Sequence, residues 1–411
     1  MLNWANRFNI CSFLDNHQYQ LTNSTVECLV ACGKIAQIAT EAKFSDLDTF
    51  LQQHKGQWIF GHIAYDNKNQ VEELSSTHPD AILFPDLFFF VPAIVLKLQH
   101  DQLEIICYDN SDPADIYKEI IAVTATESLT KAALKIQSRL SKEEYIHIIQ
   151  QLRQHILRGD CYEINYCQEF YATEVQIDPL SLYRHLTTVS PNPFACYYKH
   201  QSQYLLCASP ERFLQKKGNK LISQPIKGTI QRNLQNKETD IQLVETLKES
   251  EKDKSENVMV VDLVRNDLSK VCKEGSVHVS ELFGIYSFPQ VHQMISTIEG
   301  ELEEVVSFSS ILKACFPMGS MTGAPKKRVM ELIEQYEKTK RGLYSGAVGY
   351  FDPTGDFDFN VVIRSILYNA ANGYLGYQVG GGITFYSNPE KEYEECLLKA
   401  AAIRKVLQYY T

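Results

Sequence analysis

Near the C-terminus three strand-like segments, 346–352, 358–368 and 373–379, follow one another with no helix-length stretch between them. Segments joined this closely read as a meander, because parallel neighbours need crossovers of a dozen residues or more. The same texture appears at 161–171, 204–208 and 220–224. Helical signals fall between and after these runs. Ser141-Lys-Glu-Glu144 is a capping box. Behind it Tyr145, Ile148, Ile149, Leu152 and Ile156 repeat at helical spacing, and Gly159 ends the run. Residues 237–267 hold two helical segments parted near 251–253, and 307–315 and 324–336 are further helices. Asn388 caps a last one, with Pro389 at its first position. Strands in runs, with helices between and after them, predict an α+β fold.

Residues 1–130 alternate short apolar runs with polar turns, and 57–65, 87–96 and 103–108 read as strands. The polar run 112–131 is the best candidate for a boundary between this β-rich region and residues 131–411. The most apolar stretch, 81–96, carries Pro85, Asp86 and Pro92. It falls short of the roughly 20 apolar residues of a spanning helix, so no membrane is expected. A net charge of −10 argues against nucleic acid as a partner. The eleven cysteines form no CxxC pair, and Cys28 and Cys32 are too isolated for a zinc site. With a start unlike a signal peptide, they suggest reduced thiols and a cytoplasmic protein.

Several residues carry possible chemistry. Asp253 and Glu256 stand three apart on one predicted helix, and Glu392 and Glu395 three apart on the last. Each pair shares a helix face. Converging, they would make an oxygen-only site suited to Mg²⁺, but each pair alone reads more readily as a solvated acidic face with salt bridges. Gly380-Gly381-Gly382 follows a strand and allows close backbone approach to an anion, or simply makes a tight turn. Gly319-Ser-Met-Thr-Gly-Ala-Pro-Lys326 opens a helix, where Thr322 and Lys326 can hold a carboxylate or merely cap it. Lys227, in Gln224-Pro-Ile-Lys-Gly-Thr229, is flanked by apolar residues. Desolvation there would lower its pKa and make the amine nucleophilic. Glu211, in Ser209-Pro-Glu-Arg-Phe213, can serve as a general acid beside it. Alternatively, Lys227 is exposed and Glu211 forms a surface pair with its neighbour. Arg364 lies in an apolar run, where a buried arginine needs an anion. His292 is a polar site residue or a satisfied core histidine.

In chain order, SPERF, PIKGT, ENVMVVDLVRND, GSMTGAPK, SGAVGYF, GGGI and EYEECLLKA resemble the chorismate-utilising enzymes, over roughly residues 131–411. The resemblance implies two largely antiparallel sheets packed face to face with helices outside, in four α/β/β/α layers like anthranilate synthase component I. Residues 1–130 would complete that sandwich. It implies Mg²⁺ on Glu256 and Glu395, with Asp253 and Glu392 completing the acidic cluster. It places Tyr350, Arg364 and Gly380 to Gly382 around the substrate carboxylates, and Thr322 and His292 along the ring.

Within the family, PIKGT at Lys227 is similar to the aminodeoxychorismate synthases, whereas anthranilate synthases look like PIAGT. A lysine that attacks C2 of chorismate and expels the C4 hydroxyl leaves C4 open to ammonia, giving 4-amino-4-deoxychorismate. The stretch Gly159-Asp-Cys-Tyr-Glu-Ile-Asn-Tyr166 is similar too, but departs at Glu163 and, just beyond it, at Glu169, where the family more often has Gln and Arg. No cysteine lies in a G-x-C-x-G turn. The ammonia is therefore expected from a separate glutamine amidotransferase subunit, in a heterodimer. The rival readings are an anthranilate synthase component I and a non-catalytic chorismate- or amino-acid-binding regulatory subunit.

Overall fold

The computed structural model describes residues 1–19, 23, 26–124 and 134–410. Two antiparallel sheets pack face to face. Across the first sheet the order is Gly323–Ala324, Glu163–Ala172, Tyr374–Ile383, Ser365–Asn369, Gln203–Ser209, Phe194–His200, Ile10–Asp15, Cys28–Cys32, Ile94–Gln99 and Gln102–Cys107. Across the second it is Ile226–Gln231, Val291–Glu301, Lys220–Gln224, Arg212–Lys217, Phe357–Asn360, Ala347–Phe351, Ile59–Ile63, Leu87–Val91 and Ala36–Gln37. The N-terminal hundred residues thus supply strands to both sheets. The boundary expected within 112–131 lies partly outside the described residues, and the helix Pro113–Ala122 fills its first half.

Period-two alternation explains why the strands read as unbroken apolar runs. In Gln203–Ser209, Leu205 and Cys207 face the other sheet, while Leu206 and Ala208 face the helices outside. A strand covered on both faces has no polar side to show. Between the sheets lie Phe60, Phe88 and Phe90, while Phe89, Phe351 and Phe359 pack on the far face of the second sheet against Phe308 of the Phe308–Cys315 helix, all nearly fully buried. Each such side chain contributes about 1.5–3 kcal/mol. On the outer face of the first sheet, Tyr145, Ile149 and Leu152 of the Lys142–Leu157 helix pack with Leu332, Ile403 and Leu407. That helix has the Ser141/Glu144 capping box, with Gly159 left-handed at φ +84° just beyond it. Among the described residues no helix is long and apolar enough to cross a membrane.

Two expected single strands are each two. The run 87–96 divides into Leu87–Val91 in the second sheet and Ile94–Gln99 in the first. Pro92, which has no N–H to give a ladder, stands at the crossing. The run 358–368 divides into Phe357–Asn360 and Ser365–Asn369, again in different sheets. Conversely, the glycine triplet is no turn. It continues the strand Tyr374–Ile383, with Gly380, Gly381 and Gly382 opposite Cys167, Tyr166 and Asn165.

Candidate active site

The chain crosses between the sheets at 210–211 and again at 361–364, and these crossings lie side by side. Val361 N–H donates to the Glu211 carbonyl at 3.0 Å, and Ala208 N–H to the Arg364 carbonyl at 3.2 Å. Where the sheets part there, an open cleft of about 810 Å³ forms, lined by Glu211, Lys227, Asp253, Glu256, Arg364 and Glu395 among others. Glu211 and Arg364 therefore come from crossings rather than from strand interiors. Arg364 has φ +53°, and its guanidinium donates to the Lys399 carbonyl at 2.7 Å, at the end of the Pro389–Lys399 helix.

Lys227 is aimed inward by a bulge. The register between Ile226–Gln231 and Val291–Glu301 slips between Ile226 and Thr229, and Gly228 takes φ +92°. An extra residue of this kind re-aims a side chain. The ammonium, in a residue 8% exposed, forms a short ion pair with Glu163, itself 3% exposed. The expectation of a lowered pKa is corrected here. Burial pushes the lysine down, but Glu163, Glu256 and Glu211 outweigh it and the value is raised. The amine is thus held as an ammonium with a carboxylate at its side able to take the proton. Gly382 makes room for the pair, since a Cβ there would lie 2.5 Å from Glu163 Oε1 and 2.6 Å from Lys227 Nζ.

Glu211 is buried rather than paired on the surface, and its neighbour Arg212 makes a bidentate pair with Asp358 at 3.0 Å. Burial pushes the Glu211 carboxyl up to about 7, against a hydrogen bond from Ser320 Oγ at 2.5 Å and the charge of Lys227.

Three of the four acids converge. The ammonium of Lys252 lies 3.3 Å from Glu392, 3.6 Å from Glu256 and 3.7 Å from Glu395. Burial pushes Glu256 up to about 7, and Lys399, 2.8 Å from Glu395, holds that carboxyl down at about 2. Asp253 lines the cleft but stands outside this group. Its carboxylate accepts from Ser250 Oγ, whose oxygen in turn caps the Glu251–Ser269 helix. Among the described residues no three acids are already drawn tightly enough together to cage an ion. The donor set nonetheless suits a hard cation: all oxygens, a lysine ammonium as stand-in, and Glu256 Oε1 buried with no hydrogen-bond partner.

Four expected site residues sit elsewhere. His292 points away from the cleft, bonded to Ser287 at 2.8 Å and Asp240 at 3.1 Å. The next residue on that strand, Gln293, takes the opposite face, lines the cleft and leaves its buried Oε1 unpaired. Tyr350 packs between Trp58 and Phe60, whereas Tyr344, ahead of the strand, lines the cleft. Thr322 is buried and donates to the Met318 carbonyl at 3.0 Å, while Ser320 and Met321 face the cleft. Lys326 turns to Asp267 at 2.5 Å and the Cys315 carbonyl at 3.0 Å, tying its helix to the Glu251–Ser269 helix. Of the triplet, Gly380 and Gly382 line the cleft, and Gly381 faces Glu392, Glu395 and Lys399.

Sequence reasoning missed Gln293, Tyr344, Ser320, Lys252 and Lys399 as site residues. It noticed Glu163 only as a departure. The usable signal was an acidic residue inside the apolar run Cys161-Tyr-Glu-Ile-Asn-Tyr166, which calls for a buried partner.

Residues 10–405 match the family model described as chorismate binding enzyme. The chain is 33% identical over 362 residues to aminodeoxychorismate synthase component 1 of Bacillus subtilis (strain 168), covering 85% of this chain and 76% of that one. It is 43% identical over 288 residues to a probable chloroplastic aminodeoxychorismate synthase of Oryza sativa subsp. japonica. That match covers 69% of this chain but only 32% of the rice protein, so the chain spans about a third of that relative's length. The crystal structure of anthranilate synthase component I from Streptococcus pneumoniae TIGR4 shares the fold at a TM-score of 0.79 and 26% identity, covering 96% of this chain and 95% of that one. With a match that runs almost from end to end, laid over a cleft of this chemistry, the chain belongs to the chorismate-binding enzymes.

Proposed function

We propose that this chain converts chorismate and ammonia to 4-amino-4-deoxychorismate, the precursor of para-aminobenzoate in folate synthesis, with Lys227 as covalent nucleophile. The observation that carries the reading is the buried amine of Lys227, in the cleft with Glu163 beside it and Glu211 on the same wall. The relatives named aminodeoxychorismate synthases support it.

Lys227 gives a proton to Glu163 and its neutral amine attacks C2 of chorismate. Both ring double bonds shift, C1=C2 to C1=C6 and C5=C6 to C4=C5, and the C4 hydroxyl leaves as water with a proton from Glu211. Ammonia then adds at C4 as Lys227 departs from C2. The new C4 ammonium returns a proton to Glu211, and Glu163 returns one to Lys227, so both carboxyls and the lysine are restored. Arg364 and the Gly380 and Gly382 backbone would hold the enolpyruvyl carboxylate. Glu256, Glu392 and Glu395 would hold Mg²⁺, which when bound supplies positive charge to the ring carboxylate of the substrate. The protein would work in the cytoplasm, with ammonia from a component II glutaminase.

Incubation with chorismate, Mg²⁺ and ammonium, followed by mass analysis, tests this reading. The expected product is aminodeoxychorismate, which an added aminodeoxychorismate lyase turns into para-aminobenzoate. Fluorescent anthranilate formed without the lyase would instead establish the rival activity.

The glycines separate two kinds of damage. Gly382→Ala pushes against the flexible ends of Glu163 and Lys227. It should leave the melting temperature near wild type and lower turnover about 100-fold, the effect of a roughly 1 Å misplacement. Gly380→Ala drives a Cβ into the Tyr166 carbonyl of the paired strand. It should destabilise the fold by about 2 kcal/mol or more, visible as a lower melting temperature.

A further inference from the structure

The contacts of Lys252 with the acidic cluster are loose. Only Glu392 is hydrogen-bonded to it, at 3.3 Å, while Glu256 and Glu395 stand at 3.6 and 3.7 Å. Glu256 Oε1, in a residue 8% exposed, accepts no hydrogen bond. An ammonium that faces three carboxylates but bonds to one is a counter-ion and not a fitted salt bridge. Its side chain is 45% exposed and lies in the first turn of the Glu251–Ser269 helix, so the flexible stem has solvent to swing into.

Lys399 differs. It bonds Glu395 at 2.8 Å and the Gly380 carbonyl at 3.1 Å, and its side chain is 22% exposed. Charge points the same way. Within the cluster, Glu256, Glu392 and Glu395 face Lys252 and Lys399, which leaves one negative charge unbalanced. Exchanging the Lys252 ammonium for a divalent ion balances it.

We propose that Lys252 is a built-in competitor for the metal position: its ammonium gathers the three carboxylates when no ion is bound and withdraws when a divalent cation enters. This rests on the reading of Glu256, Glu392 and Glu395 as magnesium ligands. Lys252 then sets how tightly the ion binds. It also keeps the acids from repelling one another in the metal-free protein, at the expense of metal affinity.

Calorimetric titration of the full chain with magnesium chloride tests this, with thermal melts taken alongside. Lys252→Met keeps the stem and removes the charge. It should bind Mg²⁺ at least about tenfold more tightly than wild type, since one unit charge at this range is lost from the site. Its metal-free melting temperature should fall, and the rise on adding Mg²⁺ should exceed that of wild type. Lys252→Arg keeps the charge and should bind no more tightly than wild type. Glu256→Gln should lose Mg²⁺ binding. If Lys252→Met binds Mg²⁺ as wild type does or more weakly, or if Lys252→Arg tightens binding as well, the competitor role falls while the ligand reading stands. Should Lys252→Met fail to fold, the Arg result alone decides. Unchanged Mg²⁺ binding in Glu256→Gln, or none in wild type, removes both.

Discussion

Lys227→Ala is expected to yield no chorismate adduct and to lower aminodeoxychorismate formation about 1,000-fold or more, because the nucleophile and its proton path vanish together. Mass spectrometry of the wild type with chorismate and Mg²⁺, without ammonia, should show the substrate on this lysine less one water. The variant should show nothing. Whatever it still turns over should carry nitrogen at C2, since ammonia can enter the space the side chain vacates. Once that product sheds its enolpyruvyl group as pyruvate it is anthranilate, and the switch is readable by fluorescence. The substitution also strands Glu163, which is 3% exposed and loses its ion-pair partner. Breaking a buried pair from one side costs about 3–5 kcal/mol, so the single variant should melt earlier. Lys227→Ala combined with Glu163→Gln should recover much of the melting temperature and none of the activity. An undiminished rate in the single variant, with no adduct on the wild type, would end the covalent reading.

Glu211→Gln is expected to reduce turnover about 100- to 10,000-fold, the usual range for loss of a positioned acid. The wild-type pH profile should carry the same group. Glu211 acts protonated and burial raises its carboxyl to about 7, so turnover should decline as pH rises through about 7. The Gln variant should lack that limb. Ser320→Ala provides the finer check. The Ser320 hydroxyl donates to Glu211 Oε1 and favours the carboxylate, so its removal should move the descending limb to higher pH. A limb that stays in place in both variants assigns the titration to another group.

Local signals were legible wherever one residue type has one job. The Ser141/Glu144 box and the Asn388–Pro389 helix start appear in the structure, and the break expected near 251–253 falls just ahead of it, at Ser250 between the Lys237–Glu249 and Glu251–Ser269 helices. Helix faces were legible in part: spacing paired Glu392 with Glu395, which do converge, but it paired Glu256 with Asp253, which turns to Ser250 and stands outside the cluster. Faces of strands were harder. His292 and Gln293 are neighbours in sequence and opposites in space, and a strand buried on both sides gives no apolar–polar alternation to say which faces the cleft. Tyr344 was missed for a different reason, since it lies in the turn ahead of the strand that carries Tyr350. Crossings between sheets were hard to see, because 358–368 carries no proline, glycine or turn cluster to mark a break and only the pairing partners change along it.

The sequence alone determined the α+β class, the helix ends and the kinds of chemical group available: an amine at Lys227, carboxyls at Glu211, Glu256, Glu392 and Glu395, and a guanidinium at Arg364. Those follow from rules that act within a few residues, namely capping, periodicity and side-chain type. Only the tertiary structure decided which groups meet. Glu163 and Lys227 are 64 positions apart, and Lys252 and Glu392 are 140 apart. Their contacts depend on how two sheets part at their crossings, and with them the charge on the amine and the proton on Glu211. Electrostatics in a buried cleft is set by distance through space, which local patterning does not encode.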